Sequence, residues 1–394
     1  LLGSNIAWLS RYELIHETVQ LFCTKADFTK LETALSQSEM ELVKSLLGEK
    51  GNKVVYRCSG EEVKIKLIDL GVLIFRLLDV YRELSNDYYT ILSRLFEEQF
   101  DVDEHKTVIP KPKESISSDS IQSPHDTDCH YRNKDGNQVK GYSVNVTESC
   151  DKVGLNLISG VEVKKADAAD NTFLEKAIIQ AKELFCDQVE NVHADGAYHS
   201  PSNQDFVSSK NAELILNAIQ GPKGRYDLEL DEKGILIVKD LKTGIQQEAL
   251  KMKDTQKWRI KTTEHYRYFT DKEIKACTLR KKIESIPQEV LNIRNNVEAT
   301  IFQLGYHYTN DKTRYRGLIR HKMWANIRCL WVNFARIAKH VKNNTDNDLL
   351  KVIFAQICFA ETTTTKIKSK IFEIKTKIRT ITQIYLNIKM SAFS

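Results

Sequence analysis

The sequence VENVHADGAYHS, residues 189–200, carries a carboxylate where an apolar-containing run ends and a turn begins. Asp195 closes the run, Gly196 lets the chain turn, and Ser200-Pro201 can open a following helix. A carboxylate at the carboxyl end of a strand is well placed to bind a metal ion or a substrate. On spacing alone, the commoner role of such an aspartate is to shape the turn. The stretch therefore predicts a strand, a turn and a helix, and it leaves both roles of Asp195 open.

A second informative stretch is IRNNVEATIF, residues 293–302, which has the composition of a helix. Arg294 and Glu298 are four positions apart in this stretch, so they lie on one helical face. A solvated ion pair is the commoner fate of two such residues. Taken alone, this stretch also leaves its function open.

Together, the two stretches resemble the DDE transposases of bacterial insertion sequences, whose catalytic domain is RNase H-like. The run ADGAY, residues 194–198, is similar to the motif around the second aspartate of that family. The spacing Arg294-x-x-x-Glu298 is similar to the motif of its glutamate. Gly141-Tyr142, at the start of an alternating strand, and the basic helix after Glu298 also match. The resemblance covers roughly residues 120 to 340 and, faintly, the first few residues.

The resemblance implies a transposase that cleaves DNA at transposon ends and joins the freed 3′-hydroxyl to target DNA. It implies Asp195 and Glu298 as catalytic residues and ligands of Mg²⁺ or Mn²⁺, with Arg294 orienting Glu298 or a DNA phosphate. Carboxylates suit this role because Mg²⁺ prefers hard oxygen ligands. Two ions about 3.5–4 Å apart can activate a water and stabilise the leaving oxygen. The implied partner is double-stranded DNA, both transposon ends and target, and a homo-oligomer stays open.

The sequence departs from the family pattern in two respects. The family has a tyrosine three residues before the arginine and a lysine seven after the glutamate, where this chain has Leu291 and Gly305. Residues 1–7 resemble the sequence just after the first catalytic aspartate, which is therefore expected before residue 1. The chain starts at Leu1 rather than Met, so we expect an N-terminally truncated fragment that lacks cleavage activity. Asp128 is the nearest substitute within the chain, but it follows a flexible linker.

Two other functions remain open at this stage. One is a catalytically inactive, DNA-binding remnant of a transposase, which the expected loss of the first aspartate favours. The other is an RNase H-like nuclease that never joins strands. The terminal repeat recognised and the target preference leave no signal in the sequence.

Composition sets broader bounds. The chain has 394 residues and a formal net charge of only +5, so basic residues matter by location rather than by total. Its eight cysteines contain no CxxC pair, which favours reduced thiols in a cytoplasmic protein over a disulfide framework or a zinc site. The most apolar helical stretch, residues 67–78, is interrupted by Asp69 and Arg76, so no membrane span is predicted.

The resemblance implies an α/β (α+β) fold, in which an RNase H-like mixed sheet is flanked by helices, and the periodicity of the sequence agrees with it. Strands at 139–147 and 155–163, a helix at 172–185 and a strand ending at Asp195 follow the order of such a core. Six segments are predicted: a mainly helical insertion at 1–105, a linker rich in proline and serine at 106–126, the first part of the core at 127–225, a β-rich insertion at 226–285, the glutamate helix and a basic helix at 286–345, and a basic helical tail at 346–394.

The basic helix follows Asp311. From Lys312 to Lys342 there are nine Lys or Arg and no Asp or Glu. Apolar residues spaced alternately by four and three predict a single buried face, made of Met323, Ile327, Leu330, Phe334, Ile337 and Val341. The opposite surface carries four cations, for which phosphate contact is at least as well supported as solvation: Arg320, Arg328, Arg336 and Lys339. The tail repeats this pattern at heptad spacing over 367–388, as a pairing helix or a second DNA-facing element.

Overall fold

The computed structural model describes residues 1–344, except for 135, 151–154, 186, 220, 222, 253–256, 263–264 and 306–311; of 342–344 it describes only the backbone. The predicted turn at 150–154 and the heptad tail therefore lie largely or wholly outside the described residues. The chain divides into two compact units, residues 1–150 with 158–330 and residues 151–157 with 331–394. No helix in the described part of the chain is long and apolar enough to span a bilayer.

The first hundred residues fold as helices, in agreement with the sequence prediction. Their bounds are α1 Arg11–Lys25, α2 Phe28–Ala34, α3 Gln37–Gly48, α4 Gly51–Arg57, α5 Gly60–Val80 and α6 Asp87–Gln99. Three of them begin with a serine whose hydroxyl accepts a backbone N–H and a glutamate that reaches back to the serine N–H, at Ser10, Ser36 and Ser59. These capping boxes satisfy N–H groups that a helix start leaves unpaired.

The helices enclose one apolar core, which extends into the segment predicted to be a linker. Ile15, Leu70 and Leu92 are fully buried in this core, and so is Ile121 from the 106–126 segment. That segment also contains a strand, β3 (Val108–Pro110), paired antiparallel with β2 (Phe100–Val102). The serine and proline content of residues 106–126 indicated a flexible linker. The structure instead holds this segment by strand pairing and by the burial of Ile121 in the helical core.

The central sheet is built around one long strand. β5 (Asn137–Glu148) pairs antiparallel with β1 (Leu2–Gly3), β4 (His130–Lys134) and β6 (Ile158–Lys165). The β5–β6 hairpin confirms the two strands predicted at 139–147 and 155–163. Gly141 of β5 lies so close to β1 that an added Cβ would overlap the Leu2 carbonyl oxygen. Only glycine therefore allows the two strands to approach at this point.

The next elements carry Asp195 and also follow the predicted order. α7 (Leu174–Leu184) leads to β7 (Asn191–Ala194), and Asp195 comes directly after that strand. α8 (Pro201–Ser209) follows, with Ser200 as its N-cap, and β8 (Glu213–Leu216) then pairs in parallel with β7. Within the described residues, the hydrogen-bonded neighbour of β7 is β8, so the predicted core strands form two sheets.

The predicted β-rich insertion is a five-stranded antiparallel sheet with a helix packed on one face. The strands are β9 Tyr226–Leu230, β10 Leu236–Asp240, β11 Gln246–Lys251, β12 Trp258–Lys261 and β13 Tyr266–Phe269, and the helix is α9 Asp271–Ser285. The run Asp231-Glu232-Lys233-Gly234 predicts a hairpin turn, and Gly234, at φ +75, makes that turn between β9 and β10. The insertion has its own apolar core, in which Leu236, Val238 and Ile274 are buried.

Three helices follow the insertion: α10 (Gln288–Asn292), α11 (Asn295–Gly305) and α12 (Leu318–Asn344). α12 is the predicted basic helix, but the prediction of its buried face is wrong. Residues expected to be buried are 39–71% exposed: Met323, Ile327, Leu330, Phe334 and Ile337. The buried residues are instead His321, Trp324, Ala325, Cys329 and Val332.

The orientation of α12 has identifiable causes in the first unit. The buried Asp126 carboxylate accepts a hydrogen bond from Gly317 N at 3.0 Å, just before the helix begins. The His321 ring then lies 4.1 Å from the Tyr142 ring, centroid to centroid, and Trp324 and Ala325 share a core cluster with Tyr142. Polar groups with tertiary partners therefore fix the helix, whereas periodicity counts apolar residues only.

The second unit contributes few described residues. In it, the Trp331 and Phe334 rings stack at 5.9 Å, and Arg336 Nη1 donates to the Asn156 carbonyl oxygen at 2.9 Å.

Candidate active site

Asp195 is held in a tight turn at the end of β7. It is the N-cap of a short 3-10 helix, Gly196–Tyr198, and its Oδ1 accepts a hydrogen bond from Gly196 N at 2.6 Å. A Cβ at position 196 would lie 2.6 Å from the Ala218 carbonyl oxygen, so the turn needs glycine. The structural role that spacing favours is therefore present, and it leaves the second oxygen of Asp195 free to meet another group.

That second oxygen meets Arg294. Arg294 lies in the turn between α10 and α11, and its Nη2 is 3.2 Å from Asp195 Oδ2. Its Nη1 is 2.9 Å from Glu298 Oε1 in the first turn of α11. One guanidinium thus joins two carboxylates whose positions in the chain are separated by the whole insertion. The side chains of Arg294, Asp195 and Glu298 are 23%, 41% and 56% exposed, so solvent reaches the site.

Two contacts that sequence reasoning missed tie these elements to β5. Tyr198 Oη donates to Asn145 Oδ1 at 2.6 Å, and burial, reinforced by nearby carboxylates, raises the pKa of Tyr198 to about 12. The fully buried Thr300 hydroxyl donates to the Glu148 carboxylate. Tyr198 fixes the Asp195 turn and Thr300 fixes α11. Asn145 and Glu148 carry no sequence signal, because only the folded chain brings them to these partners.

Asp126 and Asp128 belong to a different site. The Asp126 carboxylate accepts hydrogen bonds from the Ser4 hydroxyl, from Tyr142 Oη at 2.6 Å and from Gly317 N. Asp128 Oδ2 accepts from Leu318 N at 3.4 Å, at the start of α12. Both carboxylates therefore interact with the N-terminal end of α12, where negative charge is stabilising.

The four predicted DNA-contacting cations differ in their surroundings. Arg320 and Lys339 are exposed. Arg328 is half-buried, and its Nη2 donates to the carbonyl oxygens of Gln303 and Leu304 at 3.2 and 3.0 Å, in the last turn of α11. Arg336 makes the contact with Asn156 described above. The predicted basic face is thus divided into two exposed and two internally bonded side chains.

The metal ions implied by the resemblance can be tested against this geometry. Asp195 and Glu298 offer hard carboxylate oxygens, the ligands that Mg²⁺ and Mn²⁺ prefer. Their convergence on a guanidinium shows that both point to one position suited to a cation. Among the described residues, no three His, Cys, Asp or Glu side chains are grouped so that they could hold an ion. The described residues therefore supply two ligands of the type that Mg²⁺ and Mn²⁺ prefer, the carboxylates of Asp195 and Glu298.

The structure thus brings a strand-end carboxylate and a late-helix carboxylate together in a mixed α/β fold. Residues 96–334, more than half of the chain, match the family described as Transposase DDE domain, and the chain belongs to that family. The family resemblance noted in the sequence is thus confirmed. No curated protein and no solved structure matches the chain.

Proposed function

We propose that this chain is a transposase that cleaves DNA and transfers strands at insertion-sequence ends, with Asp195 and Glu298 holding Mg²⁺ or Mn²⁺. The observation that carries the proposal is the convergence of these two carboxylates on Arg294 across the insertion. A surface ion pair between Arg294 and Glu298 would form without Asp195, which lies far away in the sequence. A metal site, in contrast, needs carboxylates that separate elements bring together.

Each residue has a defined role in this proposal. When bound, divalent ions supply an activated water and stabilise the leaving oxygen of the phosphodiester. Asp195 Oδ1 accepts a hydrogen bond from Gly196 N, which orients the carboxylate and its Oδ2. Glu298 is held by α11, whose position depends on Thr300. Arg294 can donate two parallel hydrogen bonds to a carboxylate or a DNA phosphate. The exposed cations Arg320 and Lys339 on α12 are available for duplex phosphates.

The first prediction tests the two carboxylates. In a version extended upstream to include the aspartate expected before residue 1, Asp195→Asn and Glu298→Gln should each reduce Mg²⁺-dependent nicking of DNA carrying the element's ends by at least a hundredfold, since an amide is a poor ligand for a hard cation. Duplex binding, measured by anisotropy in the absence of metal, should stay within a factor of three. Matched controls are Asp205→Asn on α8 and Glu289→Gln on α10, both exposed and both outside the Arg294 contacts.

The nicking assay tests the assignment of Asp195 and Glu298, and a second assay distinguishes a transposase from a nuclease. Loss of nicking in the two site variants, with normal nicking in the controls, supports the assignment. Wild-type nicking in either site variant would remove it. A strand-transfer assay with pre-cleaved ends separates a transposase from a nuclease, because only the transposase joins the 3′-hydroxyl to target DNA.

A further inference from the structure

Arg294 is the only positive charge that the described structure places between Asp195 and Glu298. Both contacts are short, at 3.2 and 2.9 Å, and each uses a different nitrogen of the guanidinium. Arg294 is also the least exposed of the three side chains. The guanidinium therefore occupies the position between the carboxylates rather than resting on the surface beside them.

We propose that Arg294 is a built-in cation that competes with metal for Asp195 and Glu298, and that a DNA phosphate releases the site by drawing the guanidinium away. The inference rests on the proposed function and adds that DNA regulates metal binding at this site. Metal binding and DNA binding become coupled, so that the chain loads its metal chiefly when DNA is present.

The competition follows from the hydrogen bonds of Asp195. Oδ1 accepts from Gly196 N at 2.6 Å and Oδ2 from Arg294 Nη2, so both oxygens are engaged within the protein. A metal ion that uses Oδ2 must displace the guanidinium or share the oxygen with it. Sharing places a divalent ion close to a fixed positive charge, which is unfavourable in a site that is partly shielded from water. Metal and Arg294 therefore exclude one another.

The release follows from the geometry of arginine. The planar guanidinium fork fits two phosphate oxygens as well as it fits a carboxylate. Arg294 sits in the two-residue turn between α10 and α11, so its side chain starts at an element end rather than within a packed helix. DNA at the site offers a phosphate to this fork, and both carboxylates then become available to a metal ion. By linkage, DNA and metal must raise each other's affinity by the same factor.

The test measures Mn²⁺ affinity rather than turnover. Free Mn²⁺ is followed by electron paramagnetic resonance in titrations of wild type, Arg294→Gln and Arg294→Lys, with and without duplex DNA, after subtraction of a DNA-only titration. The control is Arg82→Gln, which removes an exposed arginine paired with Asp79. Thermal unfolding without metal verifies that each variant is folded.

We expect DNA to tighten Mn²⁺ binding by wild type and by Arg82→Gln roughly tenfold, within the usual range of coupling between two sites. Arg294→Gln should bind Mn²⁺ roughly tenfold tighter than wild type without DNA, with less than a twofold further effect of DNA. Arg294→Lys keeps the charge but loses the fork. It should bind Mn²⁺ like wild type and show a reduced DNA effect.

Equal or weaker Mn²⁺ binding by Arg294→Gln, or an undiminished DNA effect in that variant, would overturn the competition. Failure of the proposed function gives a different result, because Asp195→Asn and Glu298→Gln would then keep both Mn²⁺ binding and nicking. If those two variants lose both properties while Arg294→Gln behaves as wild type, the function stands and only the role of Arg294 is wrong.

Discussion

The His321 side chain is set by polar partners that hydrophobic periodicity does not reveal. His321 on α12 is fully buried, with its Nδ1 2.8 Å from the Gly317 carbonyl oxygen and its Nε2 2.8 Å from the Thr313 hydroxyl. Burial lowers the pKa of His321, and this effect outweighs the opposing influence of the Gly317 carbonyl and Asp126. The neutral imidazole is therefore the form that the fold requires.

The second prediction follows from the sign of that shift. Because the folded pKa of His321 lies below the unfolded value of about 6.5, its contribution to stability is complete above that value and is lost as the pH falls toward the folded pKa. The free energy of unfolding should decrease between pH 7 and pH 5, measured by urea denaturation. His321→Gln should reduce this slope by up to roughly 1.4 kcal/mol per pH unit.

Other histidines account for the slope that remains. Burial also lowers the pKa values of His16, His193 and His199, so the wild-type dependence is a sum over several groups. His105→Gln is the control, since it removes an exposed histidine. Identical slopes in wild type and His321→Gln would contradict the assignment of His321 as a neutral core group.

At the scale of elements, α12 shows what a sequence pattern can and cannot predict. The repeat of apolar residues at spacings of four and three correctly indicated one long helix, which begins at Leu318 within the run of nine cations. Its buried face was mispredicted because His321 and Arg328 count as polar in any periodicity. Their cost of burial is offset by Thr313 and by the carbonyls of α11, and the sequence gives no indication of those partners.

The third prediction separates the two kinds of cation on α12. Arg328→Gln should lower the free energy of unfolding by about 1–2 kcal/mol, because it removes a charged donor from the carbonyl end of α11. Arg320→Gln should change it by less than about 0.5 kcal/mol, as expected for an exposed position. If Arg320 contacts a phosphate, its loss should flatten the plot of log affinity against log salt by about 0.9.

The two variants are compared by two independent measurements, the stability of the protein and the salt dependence of its DNA binding. Urea denaturation reports the role of Arg328 in holding the helix that carries Glu298. Salt titration of duplex binding reports the role of Arg320. An unchanged salt slope in Arg320→Gln would mean that this side chain is simply solvated, and wild-type stability in Arg328→Gln would mean that α11 does not depend on it.

At the scale of the whole molecule, the sequence predicted the elements better than the contacts between them. The β5–β6 hairpin, α7, the Asp195 turn and the first hairpin of the insertion were predicted, because each has a local period or a turn residue that specifies it. The contact of Arg294 with Asp195 was not predicted, although the pairing of Arg294 with Glu298 was. The first contact spans the insertion and depends on tertiary structure, whereas the second needs only a helical turn.

The first unit contains separate apolar cores, so we expect a substitution that destabilises one core to have little effect on the stability of the other. The helical region and the insertion each bury their own cluster, one around Ile15 and Leu70 and the other around Leu236 and Val238. The two clusters share no buried residue. The helical core and the insertion core are therefore separate, and the insertion meets the Asp195 strand through α9, where Ile283 shares a small buried cluster with Ala194 and Leu216.

The last prediction tests this independence. Leu236 on β10 is fully buried, so Leu236→Ala should cost the insertion about 2–5 kcal/mol through lost apolar burial and the cavity left behind. Leu250→Ala, in the neighbouring strand of the same sheet, is the matched control, because that leucine is 66% exposed. Hydrogen exchange followed by mass spectrometry should show faster exchange in β9–β13 and α9 of Leu236→Ala and unchanged protection in β5 and β6. The reason is that amides exchange when the region that contains them opens locally, and the exchange rate depends on the free energy of that local opening. Faster exchange spread evenly over both sheets would show that the first unit unfolds as one cooperative body.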